Sequence, residues 1–256
     1  MKPERALERR GFLKGTVGAA GLLALGGCDN LTQSNWFPSI LQKAERLTEG
    51  IQRAIAPASA MAKEYGEADI SRVFPANGNT DPGTEEYAEM VKKDFADWDV
   101  LIDGLVKTPT RFSLAAIREM PARTQITRHD CVEGWSAIGK WTGVPLGDLL
   151  RKVEPLPTAK YAVFHCADAD DEGVPYYESM AVADCFHPQT ILAYDLNGRP
   201  LDVPHGAPLR LRFERQLGYK QAKYVEHIEL VESLADIGGG RGGYWEDQGY
   251  EWYAGI

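Results

Sequence analysis

At 256 residues, with 44% hydrophobic and 25% charged side chains, the chain has a globular composition and enough length to bury a core of its own. Asp and Glu outnumber Lys and Arg 37 to 28, a net charge of −9. A nucleic-acid binder, which needs a basic face, is excluded.

Residues 1–28 have the charged, apolar, small-residue order of an export signal. Arg9-Arg10-Gly11-Phe12-Leu13-Lys14 resembles a twin-arginine signal, with Glu8 where Ser or Thr is usual. The weakly apolar run that follows is too short for a bilayer, which takes about 20 apolar residues. Its ending, Leu25-Gly26-Gly27-Cys28, resembles a bacterial lipobox in which Cys28 is lipidated and becomes the new N-terminus. Set against this are a basic amphipathic start to the first helix, simple cleavage, and an uncleaved anchor. Twin-arginine export carries folded proteins, often with a cofactor inserted, so the segment points to the periplasm or the outer face of the cytoplasmic membrane. Removing residues 1–28 takes five basic and two acidic side chains, leaving 23 against 35 and a net charge of −12. Cys131, Cys166 and Cys185 remain, an odd number for an oxidising compartment. A Cys166–Cys185 disulfide and three reduced, buried thiols are both open, the latter preferred.

Residues 29–37 read as a polar tether. Ile40, Leu41, Ala44, Leu47, Ile51, Ala54 and Ile55 recur at helical spacing and predict a helix over 38–55. The stretch 57–82 is rich in Pro, Gly, Asn and Ala and reads mainly as loop. A short helix is expected over 84–93, a strand over 98–104, a helix capped by Ser113 over 113–118, and an extended segment over 124–128. Pro145, suited to a first helical turn, opens a helix over 146–153. Strands follow over 161–164, over 190–194 before the tight turn Asn197-Gly198, and over 209–213 and 224–231. The glycine-rich, aromatic tail from Gly238 reads as an ordered wrap. Strands and short helices mix without strict alternation, which favours an α+β fold. Residues 29–69 are thus a tether and amphipathic helix, and 70–256 the main domain.

Two stretches carry chemistry. In an acidic protein, residues 210–223 hold Arg210, Arg212, Arg215, Lys220 and Lys223 against one acid, Glu214. Such a cluster asks for an anion, and Arg with the backbone at Gly206 and Gly218 suits a phosphate. The plainer alternative is a strand with a solvated basic face. The second stretch is Cys131, which reads as a buried thiol, half of a disulfide, a nucleophile beside His129 or His165, or a metal ligand. Zinc lacks the other ligands. A soft thiolate completing a metal held by an anionic organic cofactor ties both stretches together.

Cys131-Val132-Glu133-x-Trp135-Ser136, with Trp141-x-Gly143-x-Pro145-Leu146, resembles the molybdenum-ligand segment of the sulfite-oxidase fold. The resemblance is nearest to the bacterial periplasmic methionine-sulfoxide reductase catalytic subunits. It continues through His205-Gly206-x-Pro208-x-Arg210, Gly218-Tyr219-Lys220 and the aromatic tail, covering roughly residues 70–256. It implies a sulfite-oxidase-type α+β fold binding molybdenum–molybdopterin, with Cys131 as the thiolate ligand to the metal. Arg210 and Lys220, with the backbone at Gly218 and Tyr219, would hold the terminal phosphate. His205, Cys166 and Asn77 would contact the cofactor, although the family's Tyr-Glu pair is missing after Asn77. Glu133 would face the open side of the metal.

The implied reaction is oxygen-atom transfer to or from a small molecule, with electrons carried by a separate cytochrome or membrane haem protein. Sulfite oxidases follow their cysteine with basic residues; here Val132-Glu133-Gly134-Trp135 follows. A carboxylate in a low-dielectric pocket would repel sulfite, so a reductase of a neutral S-oxide or N-oxide is expected, with Glu133 supplying a proton. For Glu133 the alternative is a surface or structural acid paired with Arg128. The alternatives for the whole chain are a sulfite dehydrogenase of the same fold and a non-catalytic lipoprotein binding module.

Overall fold

The computed structural model describes residues 47–54 and 59–256. The export signal, Cys28 and most of the helix expected over 38–55 lie outside the described residues. Residues 47–54 are helical, with Arg53 donating to Glu49 one turn earlier at 2.8 Å. They belong to a unit of residues 1–54, and the two sheets to a second unit of residues 55–256.

One sheet contains β1 (Asp99–Gly104), β2 (Thr110–Ser113), β5 (Tyr161–Ala169), β6 (Pro175–Ala181) and β10 (Val225–Val231), in the order β2-β1-β10-β5-β6. Only β1 and β10 pair in parallel. The other sheet joins β3 (Arg123–Asp130), β4 (Ser136–Pro145), β7 (Thr190–Leu196) and β8 (Arg199–Pro200), with β9 (Arg210–Phe213) also paired to β7. Mixed sheets with few helices make this α+β.

Local chemistry sets the helices. Thr84 caps α1 (Glu85–Lys92) by accepting from the Tyr87 N–H at 3.1 Å, and Ser113 caps α2 (Leu114–Glu119) through the Ala116 N–H at 3.2 Å. In α3 (Leu146–Val153), Leu146, Leu149, Leu150 and Val153 are buried at helical spacing, packing on β1 of one sheet and on β4 and β7 of the other. Pro145 stands just before the helix as its N-cap and ends β4.

Three findings differ from the sequence expectation. Residues 136–145, given no element, form the long strand β4; Gly143 lets it approach β7 so closely that a Cβ would lie 2.1 Å from the Leu192 carbonyl oxygen. Strand β6 and the short helix α4 (Val182–Cys185) were unassigned too. The start of the main domain at residue 70 falls inside the packed unit, because Glu64 bridges Thr127 and the Tyr65 N–H donates to the Ile126 carbonyl at 2.9 Å. Cys131, Cys166 and Cys185 are all free and buried, so the three-thiol reading holds.

Candidate functional site

Cys131 sits at the tip of the β3–β4 hairpin, directly after the Asp130–Ser136 pair. Its N–H donates to the Trp135 carbonyl at 2.9 Å and its carbonyl accepts from Gly134 at 3.1 Å. Gly134 has φ +88, a left-handed conformation that costs a glycine little, and so closes the turn. The thiol is 8% exposed, and Asn77 Nδ2 lies 3.5 Å from its sulfur. Burial pushes the thiol up from its ordinary range, opposed by the Glu133 backbone N–H and by Asn77.

The sulfur opens on a cavity of about 450 Å³ whose wall includes Asn77, Arg210, Gly218, Tyr219 and Lys223. Arg210 is 3% exposed; its Nη1 donates to the His205 carbonyl at 2.9 Å and its Nη2 to the Gln221 carbonyl at 3.4 Å, and its Nε has no partner among the described residues. Burial, then repulsion from Arg212, lowers it to about 9. Lys223 donates to the carbonyls of Asn77 at 2.9 Å, Pro204 at 3.2 Å and Asn79. Burial, then Arg210, lowers it to about 8. Neither cation forms an ion pair with a carboxylate among the described residues. Two desolvated cations and a sulfur donor in one cavity suit an anionic ligand that carries a soft metal.

The wall is supported from behind. Arg212, fully buried, forks onto both oxygens of Glu214 at 2.9 and 2.6 Å, donates to His129 Nδ1 at 3.0 Å and lies 4.2 Å from the centroid of the Trp141 ring. Burial, then Arg212, holds His129 down at about 2, so the imidazole stays neutral. Arg210, Arg212, Arg215 and Lys220 are all buried, which overturns the solvated-strand alternative for residues 210–223.

The other expected residues fall as follows. His205 stands behind Arg210, its Nδ1 against Asp202 Oδ1 at 2.5 Å and its Nε2 against the Phe74 carbonyl at 2.9 Å. Cys166 does not line this cavity; it faces a second one. Lys220, expected at a phosphate, is 2% exposed and held between Glu178 and Glu246 outside the cavity wall. Glu133 does line the cavity, but at its exposed rim, where Trp135 Nε1 donates to its Oε2 at 3.0 Å. The low-dielectric setting expected for it is therefore corrected to a solvated one. Arg128 pairs with Asp130 at 2.9 Å and not with Glu133.

Gln221 and Asp168 line the cavity and were not singled out by sequence; Lys223, which also lines it, was named only within the basic cluster and given no cofactor role. Lys223 belongs to the same basic run; the 3-10 turn Gly218–Lys220 decides which lysine faces inward. The tail is an ordered wrap: Tyr244 and Trp245, which begin α5 (Tyr244–Asp247), join Tyr250 in the cavity wall, and Trp252 Nε1 donates to Ser179 Oγ at 2.8 Å. Around the mouth, Asp170 and Asp171 join Glu133, while Val132, Trp245 and Tyr250 expose apolar surface.

The family model described as the oxidoreductase molybdopterin binding domain matches residues 87–236. A protein from Azospira oryzae, provisionally named protein-methionine-sulfoxide reductase subunit YedZ1, is 38% identical over 247 residues, 96% of this chain and 87% of that protein. The protein-methionine-sulfoxide reductase catalytic subunit MsrP of Xanthomonas campestris is 35% identical over 168 residues, 61% of this chain and 51% of its own length. The chain thus matches about half of that relative. The sulfane dehydrogenase SoxCD from Paracoccus pantotrophus superposes with a TM-score of 0.48 at 21% identity, over 58% of this chain and 45% of that one.

Proposed function

The chain belongs to the oxidoreductase molybdopterin-binding domain family, and on that premise we propose that it reduces a neutral S-oxide, methionine sulfoxide foremost. It is an enzyme with a sulfite-oxidase-type fold, and its cofactor is molybdenum–molybdopterin.

The residues present fit that cofactor. Cys131 offers a sulfur donor, Arg210 an unpartnered buried Nε and Lys223 a desolvated charge, all in one cavity. Cys131 would hold the metal, and Arg210 and Lys223, with the backbone at Gly218 and Tyr219, the phosphate. When bound, the group supplies oxygen-atom transfer and stores the electrons for it. Binding requires Cys131 to lose its proton, which its raised thiol resists until the metal's charge compensates.

The observation that carries the substrate reading is the mouth. Its charged side chains, Glu133, Asp170 and Asp171, are acidic, and Val132, Trp245 and Tyr250 give it apolar surface. A dianion such as sulfite meets like charge there, whereas a sulfoxide on an apolar side chain meets none. The names of both relatives, as methionine-sulfoxide reductase subunits, support the same substrate. Reducing a sulfoxide to a thioether takes two electrons and two protons and releases water. Glu133, tethered by Trp135 and open to solvent, is the group we assign to deliver a proton and be recharged by bulk water.

Both relatives are named as subunits, which supports a separate electron-donating partner, as do the export and lipidation motifs at residues 9–14 and Cys28 for a site at the outer face of the cytoplasmic membrane. A Cys28→Ser variant should move from the membrane to the soluble fraction; an unchanged partition removes the lipid anchor. Steady-state reduction of a methionine-sulfoxide peptide, dimethyl sulfoxide and trimethylamine N-oxide, against oxidation of sulfite, tests the reaction. Turnover of the sulfoxide is expected, and sulfite oxidation without sulfoxide turnover contradicts it.

A further inference from the structure

Lys220 stands behind the wall of the Cys131 cavity, with the carboxylates of Glu178 and Glu246 both on its ammonium. The three residues come from three segments that each build that wall. Glu178 lies in β6 with Tyr176, Lys220 ends the turn that presents Gly218 and Tyr219, and Glu246 lies in α5 with Tyr244 and Trp245. The triad thus fastens the tail to the sheet from its buried side. Its charges do not balance: both carboxylates are 0% exposed, and no second cation pairs with either among the described residues. The Ser179 N–H donates to Glu178 Oε1 at 2.7 Å, but Glu178 Oε2 and Glu246 Oε2 have no partner among the described residues. An unbalanced charge out of water costs far more than a neutral acid.

We propose that the triad holds one proton, which keeps one of its carboxylates neutral and latches the tail, and that the tail releases when this proton is lost. Burial, then the Glu246 charge, pushes the Glu178 carboxyl up, with Lys220 opposing. The titratable neighbours are Cys166 on β5, Tyr176 and Tyr177 on β6, Tyr219 in the turn and Asp247 on α5. Burial, then nearby carboxylates, pushes the thiol and the three phenols up, so they stay neutral. Asp247 is occupied by the Tyr177 hydroxyl at 2.5 Å and by the Gly239 and Arg241 N–H groups at 2.7 and 3.1 Å. A released tail opens the triad to water, where a glutamate carboxyl titrates near 4.5. The latched form keeps its proton to higher pH and binds more protons in between, so latching weakens as pH rises. The latch is independent of which oxide is reduced.

The test is hydrogen exchange, read by mass spectrometry, on the full-length cofactor-loaded chain at pH 6.5 and 7.5. Protection of the peptide 243–250 is referred at each pH to the rate of the same sequence unstructured. The wild-type tail is expected to lose protection about ten-fold over that unit, the effect of one proton. It should also stay less protected than β7 at both pH values. Glu178→Gln, neutral at every pH, should show no such loss. A wild-type tail with pH-independent protection overturns the proposal, as does the same loss in Glu178→Gln. A tail that opens only together with β7 also overturns it, and that comparison needs no variant to fold.

Discussion

The backbone of Gly218 is seated directly on the imidazole of His129: a Cβ at residue 218 would lie 2.5 Å from Nε2. His129 cannot yield easily, since Arg212 holds its Nδ1 and Trp135 lies against its ring at 5.5 Å between centroids. Gly218→Ala must therefore displace the cavity wall. We expect about 1–3 kcal/mol of lost stability, in line with overpacking elsewhere, together with reduced cofactor content. Chemical denaturation and metal analysis of the variant check both.

Lys220 and Lys223 separate a structural lysine from a binding one. Among the described residues, Lys220 is the sole cation paired with two fully buried carboxylates, Glu178 and Glu246. Lys220→Met strands them and should cost about 3–5 kcal/mol even without cofactor. Lys223→Met removes a desolvated cation that forms no ion pair among the described residues. It also gives up the hydrogen bonds to the Asn77, Asn79 and Pro204 carbonyls, so it should cost about 1–3 kcal/mol without cofactor, less than Lys220→Met, while lowering cofactor content. Equal destabilisation by the two variants would refute the division.

Asp168 makes the cofactor-free protein pH-sensitive in a stated direction. Burial raises its carboxyl from 3.8 to about 6, with Lys223 opposing. Between those values the native state binds more protons than the unfolded one, so this group's contribution falls as pH rises from 4 to 6. Asp168→Asn should therefore stabilise the cofactor-free chain at pH 7.5 by an amount on the order of 3 kcal/mol, and leave it nearly unchanged at pH 3. Urea titrations at the two pH values measure the difference; a variant destabilised at pH 7.5 contradicts it.

Glu133→Gln keeps the shape of the rim and removes its proton. Loss of a general acid typically costs about 10²–10⁴-fold in rate, and a loss in that range is expected in kcat for the sulfoxide, with molybdenum content unchanged. A wild-type kcat assigns the proton to another group.

Much of the fold was legible where one local signal sufficed. Ser113 caps the helix it was expected to cap, and the helix expected over 84–93 begins one residue later because Thr84 serves as its cap. Asn197 and Gly198 both take positive φ in the β7–β8 turn, as that dipeptide predicts. Strand β4 was hidden because Lys140, Thr142 and two glycines dilute its alternation, and its glycines serve packing against Phe74 and β7. Strand β6 was hidden because it is buried on both faces and carries the polar Glu178 and Ser179, whose partners Lys220 and the tail lie far along the chain. The site followed the same division. Motif order brings Asn77, Cys131, Arg210, Gly218 and Tyr219 to one cavity. Which lysine turns inward, whether His205 stands in front of Arg210 or behind it, and where Cys166 faces depend on tertiary placement that no spacing encodes.

On the proposed function, Cys131 holds molybdenum in the cavity lined by Arg210 and Lys223. The decisive measurement is molybdenum per chain, by elemental analysis, on wild-type and Cys131→Ala protein made with molybdate. Near-stoichiometric metal in the wild type and none in the variant, both folded, is the predicted result. Equal metal in the two, or none in either, contradicts it.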